Sequence, residues 1–277
     1  MRTPVRSSTL AHLGFARWRW LTVGAAALAL LLLVALLSAG CGSSGTSTSS
    51  GASPQATITV FAASSLTEAF TKAGADFTAA HPGVKVAFNF AGSQVLATQI
   101  GQGAPADVFA SASKTNLDAV AGLLETPAIF ADNTLEIVVA KGNPLGIRSL
   151  ADLSKASLKV VLAAPAVPAG KYASQALDAL RIAVHPVSLE DNVKAVVTKV
   201  SLGEADAGIV YVTDVQAAAG SVDGVQIPAA QNVIAHYPIA VVKASKHASD
   251  AQAFVDYVLS AAGQQTLRDF GFLPPSQ

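Results

Sequence analysis

From residue 57 onward, short apolar and β-branched runs alternate with stretches whose apolar positions recur at helical spacing, which predicts an α/β architecture with largely parallel sheets. Thr57-Ile-Thr-Val-Phe61 opens the series as a strand, followed by a helix over 66–80 that His81-Pro82-Gly83 stops. Strands over 84–90 and 107–110 lead in the same way to helices over 94–101 and 114–123. The apolar run 135–140 reads as a buried strand closed by the turn Lys141-Gly-Asn-Pro144. Strands over 158–163 and 207–212 then flank helices over 172–180 and 193–202. The run 238–243 resembles 135–140, and a last helix is expected over 249–270. Two similar buried runs so far apart are expected to be paired crossovers between two lobes, with the last helix returning to the first. The lobes are placed at 57–135 plus 239–277 and at 136–238.

The front of the chain follows another pattern. Residues 21–37 carry no charge, and Arg2, Arg6, Arg17 and Arg19 all precede them, so residues 1–40 read as an export segment to be set aside. Leu37-Ser-Ala-Gly-Cys41 resembles the bacterial lipoprotein cleavage signal, in which the cysteine is lipidated and becomes the new N-terminus; the leucine sits one place earlier than usual. Cys41 is then the lipid attachment site, and residues 41–56, rich in Ser, Thr and Gly, form a flexible tether. About 15 such residues span roughly 20 Å, which holds the folded part close to a membrane without embedding it.

Charge and composition narrow the partners. The chain balances 18 Lys and Arg against 18 Asp and Glu, and loss of the four leading arginines leaves 14 against 18, which disfavours nucleic acid. Cys41 is the only cysteine, so no intrachain disulfide can form. His81, His185, His236 and His247 show no metal-ligand spacing, so a metal-cation site is not expected.

The chemistry gathers where strands meet helices. Ser65 and Glu68 have the spacing of a capping box at the first helix start, and Ala91-Gly-Ser93 precedes the second, so two serine-bearing helix N-termini lie at the carboxyl edge of one sheet. Val167-Pro-Ala-Gly170 and Glu190-Asp-Asn-Val193 open two later helices, leaving backbone N–H groups near Ala169 and at Val193 free to donate. Tyr211, after Gly208-Ile-Val, adds a phenol. All are neutral donors. The residues by themselves lead to a protein that binds a small anion between two lobes.

Across 57–274 the chain resembles the periplasmic molybdate-binding proteins of ABC importers. The motifs that carry the likeness are Val60-Phe-Ala-Ala-Ser-Ser-Leu-Thr67, Phe90-Ala-Gly-Ser-Gln-Val-Leu-Ala97 and Gly103-Ala-Pro-Ala-Asp-Val-Phe109, with Val167-Pro-Ala-Gly170, Asp191-Asn-Val193 and Tyr211 in order. The resemblance implies a two-lobed type II periplasmic binding protein fold with an interlobe ligand cleft. It implies no enzyme activity and no cofactor, with molybdate or tungstate as ligand. Ser65 and Ser93 would donate through hydroxyl and backbone, Ala169 and Val193 through backbone N–H groups, and Tyr211 through its phenol. Ser64, where the family commonly has a small apolar residue, is a possible additional donor. Also implied are an ABC transporter permease as partner, a monomeric state, and an exported location in which the N-terminal lipid anchors the chain to the cell membrane. The alternatives are a receptor for sulfate or another oxyanion and, in a different class, an exported Ser-x-x-Lys acyl enzyme, for which Ser111-Ala-Ser-Lys114 is the only matching element. Lys171 is expected to be a solvated lysine beside the cleft, and Asp107 to support the loop near the first serines.

Overall fold

Strand β1 (Ala56–Ala63) runs through a 3-10 turn (Ser64–Leu66) into helix α1 (Thr67–Ala80). The same strand-to-helix passage recurs from β2 (Val84–Ala91) to α2 (Ser93–Gly101) and from β3 (Val108–Ala110) to the short α3 (Lys114–Asp118). The long β4 (Ala128–Ala140) follows; β5 (Val160–Ala163) leads to α4 (Pro168–Ala179), β6 (Ser188–Glu190) to α5 (Val193–Ser201), and β7 (Ala207–Tyr211) to α6 (Val212–Ala217). Strands β8 (Val222–Gln226) and β9 (Ile234–Val241) and helices α7 (Ala248–Leu259) and α8 (Ala261–Asp269) complete the order. This computed structural model describes residues 56–276. The export segment, Cys41 and nearly all of the tether lie outside the described residues.

The strands follow the order β2-β1-β3-β9-β4-β7-β5-β6, with β8 also pairing β4. Strand β4 changes partners halfway. Its first half, to Thr134, pairs antiparallel with β9, and from Leu135 on it pairs with β7 and β8. At the changeover Asn232 takes the place of a strand neighbour: its Oδ1 accepts from the Leu135 N–H at 2.9 Å, and its Nδ2 donates to the Leu135 carbonyl at 2.8 Å. Both backbone groups of Leu135 are thus paired where one sheet gives way to the next.

In the first sheet, Phe70 and Phe77 on α1 sit two turns apart, and both pack their rings against Phe254 on α7. In the second, Val193, Val196, Val197 and Val200 give α5 one buried face. The expected last helix is in fact two. Ser260 adopts an extended conformation and its hydroxyl accepts from the Gly263 N–H, so a new helix begins there. Likewise the expected helix over 114–123 is cut short after Asp118.

Candidate functional site

Parallel strands that each feed a helix place the helix starts along one sheet edge. Here the starts of α1, α2, α4 and α5, together with Tyr211 at the end of β7, line a single cavity. Ser64, Ser65, Ser93, Ala169, Val193 and Tyr211 all contribute to its wall, with Ala63, Ala91, Gly92, Ala112, Val167 and Pro168. The cavity is small, about 190 Å³ of empty space including its mouth. None of its lining residues carries a charge.

Each helix start presents donors for a local reason. Helix α4 begins at Pro168, earlier than the expected 172, with the Val167 carbonyl accepting the Lys171 N–H, so Ala169 stands in the first turn. Proline has no N–H to lose at that position, and the next N–H groups have no partner within the helix. Gly170 packs against the end of β5 so closely that any Cβ would meet the Ala163 and Ala164 carbonyl oxygens, which seats this start on the sheet. In α5 the Asn192 side chain caps the Ala195 N–H at 3.0 Å, leaving the Val193 N–H free of the cap.

The serine hydroxyls are wired from behind. Ser93, 1% exposed, accepts the Ala112 N–H at 3.0 Å, so its own proton is available to the cavity. Ser65 Oγ lies 3.0 Å from the hydroxyl of Tyr237 on β9. The expected capping box of Ser65 with Glu68 does not form. A 3-10 turn intervenes, Thr67 bonds back to the Ser64 carbonyl instead, and Glu68 pairs with Lys194. Tyr211 is 1% exposed, and its hydroxyl has no hydrogen-bond partner among the described residues. Burial holds its phenol protonated, well above the ordinary tyrosine range.

Charges gather behind the wall rather than in it. Lys194, next to Val193, bonds Glu68 of α1 at 2.8 Å and lies 3.5 Å from the fully buried carboxylate of Asp214. Burial pushes Asp214 up to about 6, against the opposing pull of Lys194. Lys171 does not line the cavity and donates to Thr115 Oγ1 at 2.7 Å. Asp107 does not brace the serine loops as expected. It sits before β3, at the opposite end of the sheet, and accepts from Thr59 N–H and Ser245 Oγ. Ser111 is fully buried and donates to the Ser113 carbonyl, while Lys114 pairs with Asp118 at the surface, so the Ser-x-x-Lys spacing brings no lysine to the serine. Among the described residues no cluster of His, Cys, Asp and Glu could hold a metal ion.

Sequence reasoning missed Ala112, Tyr237 and Lys194 as parts of this region and gave Glu68 the wrong partner. Their partners lie between 19 and 172 residues away, so no local spacing signals them.

The family model for bacterial extracellular solute-binding proteins matches residues 58–273. The molybdate-binding protein ModA of Mycobacterium tuberculosis (strain H37Rv) is 49% identical over 222 residues, covering 79% of this chain and 85% of that protein. The substrate-binding domain of a putative molybdenum ABC transporter from Clostridium difficile superposes with a TM-score of 0.60 at 28% identity, covering 80% of this chain and all of that one. The sulfate-binding protein SubI of M. tuberculosis superposes with a TM-score of 0.72 at 21% identity, over 79% of this chain and 87% of that one, a likeness of fold alone.

Proposed function

The chain belongs to the bacterial extracellular solute-binding proteins, in the molybdate-binding ModA group, and we propose that it holds molybdate between its lobes and delivers it to an ABC importer. Its fold is the two-lobed type II periplasmic binding fold, and its relatives are extracytoplasmic binding proteins rather than enzymes. The observation that carries the reading is one small neutral cavity into which four helix starts and an unpartnered buried phenol converge.

In this reading Ser65 and Ser93 donate through hydroxyl and backbone, Ala169 and Val193 through backbone N–H groups, and Tyr211 through its phenol, with Ser64 as an added donor. A dianion removed from water needs its charge met, and donors fixed by helix starts supply that without a countercharge. Molybdate, tungstate and sulfate carry the same charge, so ion pairing separates them poorly while cavity size and donor placement can. Tungstate, matching molybdate in shape, is proposed as a second ligand. We also propose the lobes as 57–135 plus 239–277 and 136–238, a monomeric state, and anchorage through a lipid on Cys41 with residues 41–56 as tether.

Thermal melting of the protein with molybdate, tungstate, sulfate or hydrogen phosphate at equal concentration tests the cargo. The only tryptophans are Trp18 and Trp20, so a dye must report unfolding of the domain. A ligand at about 100 times its dissociation constant stabilises by roughly 2.7 kcal/mol. A clear rise with molybdate and tungstate is expected; a rise with sulfate alone would keep the fold and change the cargo, and none with any oxyanion would sink the reading. Ser93→Ala removes one hydrogen bond to a charged ligand, about 1.5 to 3 kcal/mol, and is expected to weaken molybdate roughly tenfold to a hundredfold in titration calorimetry. Unchanged affinity would take Ser93 out of the ligand's shell.

A further inference from the structure

A serine hydroxyl has one proton to donate, so the direction of the Ser65–Tyr237 hydrogen bond decides whether Ser65 can serve an oxyanion. The groups packed around Tyr237 bear on that direction. Asn133 on β4 is buried, and its Oδ1 accepts from the Thr134 N–H at 2.9 Å, which only an oxygen can do. Its Nδ2 donates to Thr213 Oγ1 at 2.9 Å, and the same amide faces the Tyr237 hydroxyl at longer range. The Tyr237 oxygen therefore stands opposite a donor and sends its proton elsewhere. In the 3.0 Å bond either oxygen could donate, and an oxyanion that takes the single Ser65 proton leaves Tyr237 as the donor to Ser65 Oγ.

We propose that Tyr237 is a positioning residue that fills the acceptor side of Ser65, so that Ser65 can only donate into the cavity. The inference rests on the oxyanion reading of the site. Ser93 is set the same way by the Ala112 N–H. Two hydroxyls locked as donors favour an anion whose oxygens are all acceptors and reject one that carries an O–H, such as hydrogen phosphate, because its proton would meet another proton. Tyr237 acts through Ser65 alone and never touches the ligand.

A double-mutant cycle in titration calorimetry tests this, with molybdate and hydrogen phosphate as the probes. Tyr237→Phe keeps the ring that packs on Phe130, Tyr211 and Phe272, and is expected to fold. In the otherwise native protein it should weaken molybdate about tenfold and narrow the preference for molybdate over hydrogen phosphate; in a Ser65→Ala background it should change molybdate affinity less than about twofold. An equal loss in both backgrounds, or no loss in the native one, overturns the inference while leaving molybdate binding in place. Failure of the native protein to bind molybdate overturns the functional reading and this inference together. Should Tyr237→Phe not fold, Asn133→Ala removes the donor behind Tyr237 and is expected to give a smaller loss that also vanishes in the Ser65→Ala background; a loss that persists there overturns the proposal.

Discussion

Gly92→Ala is expected to weaken molybdate binding at least about a hundredfold while leaving the melting temperature of the ligand-free protein almost unchanged. The backbone at Gly92 lies at φ −60° and ψ 137°, which any residue adopts, so an alanine there brings no backbone strain. Its Cβ, however, would stand 2.5 Å from the Asp191 carbonyl oxygen. Asp191 belongs to the other strand group, directly before the α5 start, and its carbonyl accepts from Gln94 Nε2 at 2.9 Å. The methyl group also meets the far end of the Gln94 side chain at 2.6 Å, which can turn away, whereas the Asp191 backbone yields only if the α2 and α5 starts move apart. Holding them apart lengthens the bonds from one side of the cavity, and the loss of about two charge-assisted hydrogen bonds, at least roughly 3 kcal/mol, corresponds to about two decades of affinity. Calorimetry beside ligand-free melting separates the two effects. Tight binding by the variant would mean that the lobes need not approach this closely around the ligand.

The second large effect is expected on stability. Lys194→Met strips the buried Asp214 carboxylate of its cation and should cost about 3 to 5 kcal/mol near neutral pH, the usual penalty for breaking a buried pair from one side. Its pH dependence is distinctive. Burial raises Asp214 from 3.8 to about 6 even with Lys194 present, so the protonated form favours folding. That contribution is fully present below 3.8 and is lost as pH rises through about 6, a change on the order of 3 kcal/mol. Without Lys194 the carboxyl moves higher still, so the destabilisation should be larger at pH 8 than at pH 5. Asp214→Asn, with Lys194 intact, should flatten the slope between about 4 and 6 relative to the native chain. Urea denaturation at both pH values checks this; an equal loss from Lys194→Met at pH 5 and pH 8 would mean that Asp214 is not the group left unpaired.

Much of the fold is legible because its signals are local. Apolar runs such as Thr57-Ile-Thr-Val-Phe61 and the breakers behind them act within a few residues, and the observed β1, α1, β2, α2 and α5 begin and end close to the positions they predict. The first half of β4 was not legible, because Asp132 and Asn133 interrupt its apolar pattern. Both are at most 2% exposed, and both are satisfied by distant groups: His236 and Ser276 for Asp132, Thr213 for Asn133. Strands β6 and β8 are short and half-exposed, with too little alternation to stand out, and the break at Ser260 depends on one serine cap inside a helical pattern.

The candidate site divides along the same line. By itself the sequence determined which residues offer donors, since a helix start leaves its first N–H groups unpaired wherever the helix lies, and Ser65, Ser93, Ala169, Val193 and Tyr211 stand at such starts or strand ends. Only the tertiary structure decided how those donors are aimed and what stands behind them. The Tyr237 hydroxyl that faces Ser65 is 172 residues away, and the Glu68–Lys194 pair that supplants the expected capping box spans 126. A cap or a turn competes with neighbours a few residues along the chain, whereas these pairings exist only because β4 changes partners and β9 returns beside β3, bringing remote side chains within hydrogen-bond reach.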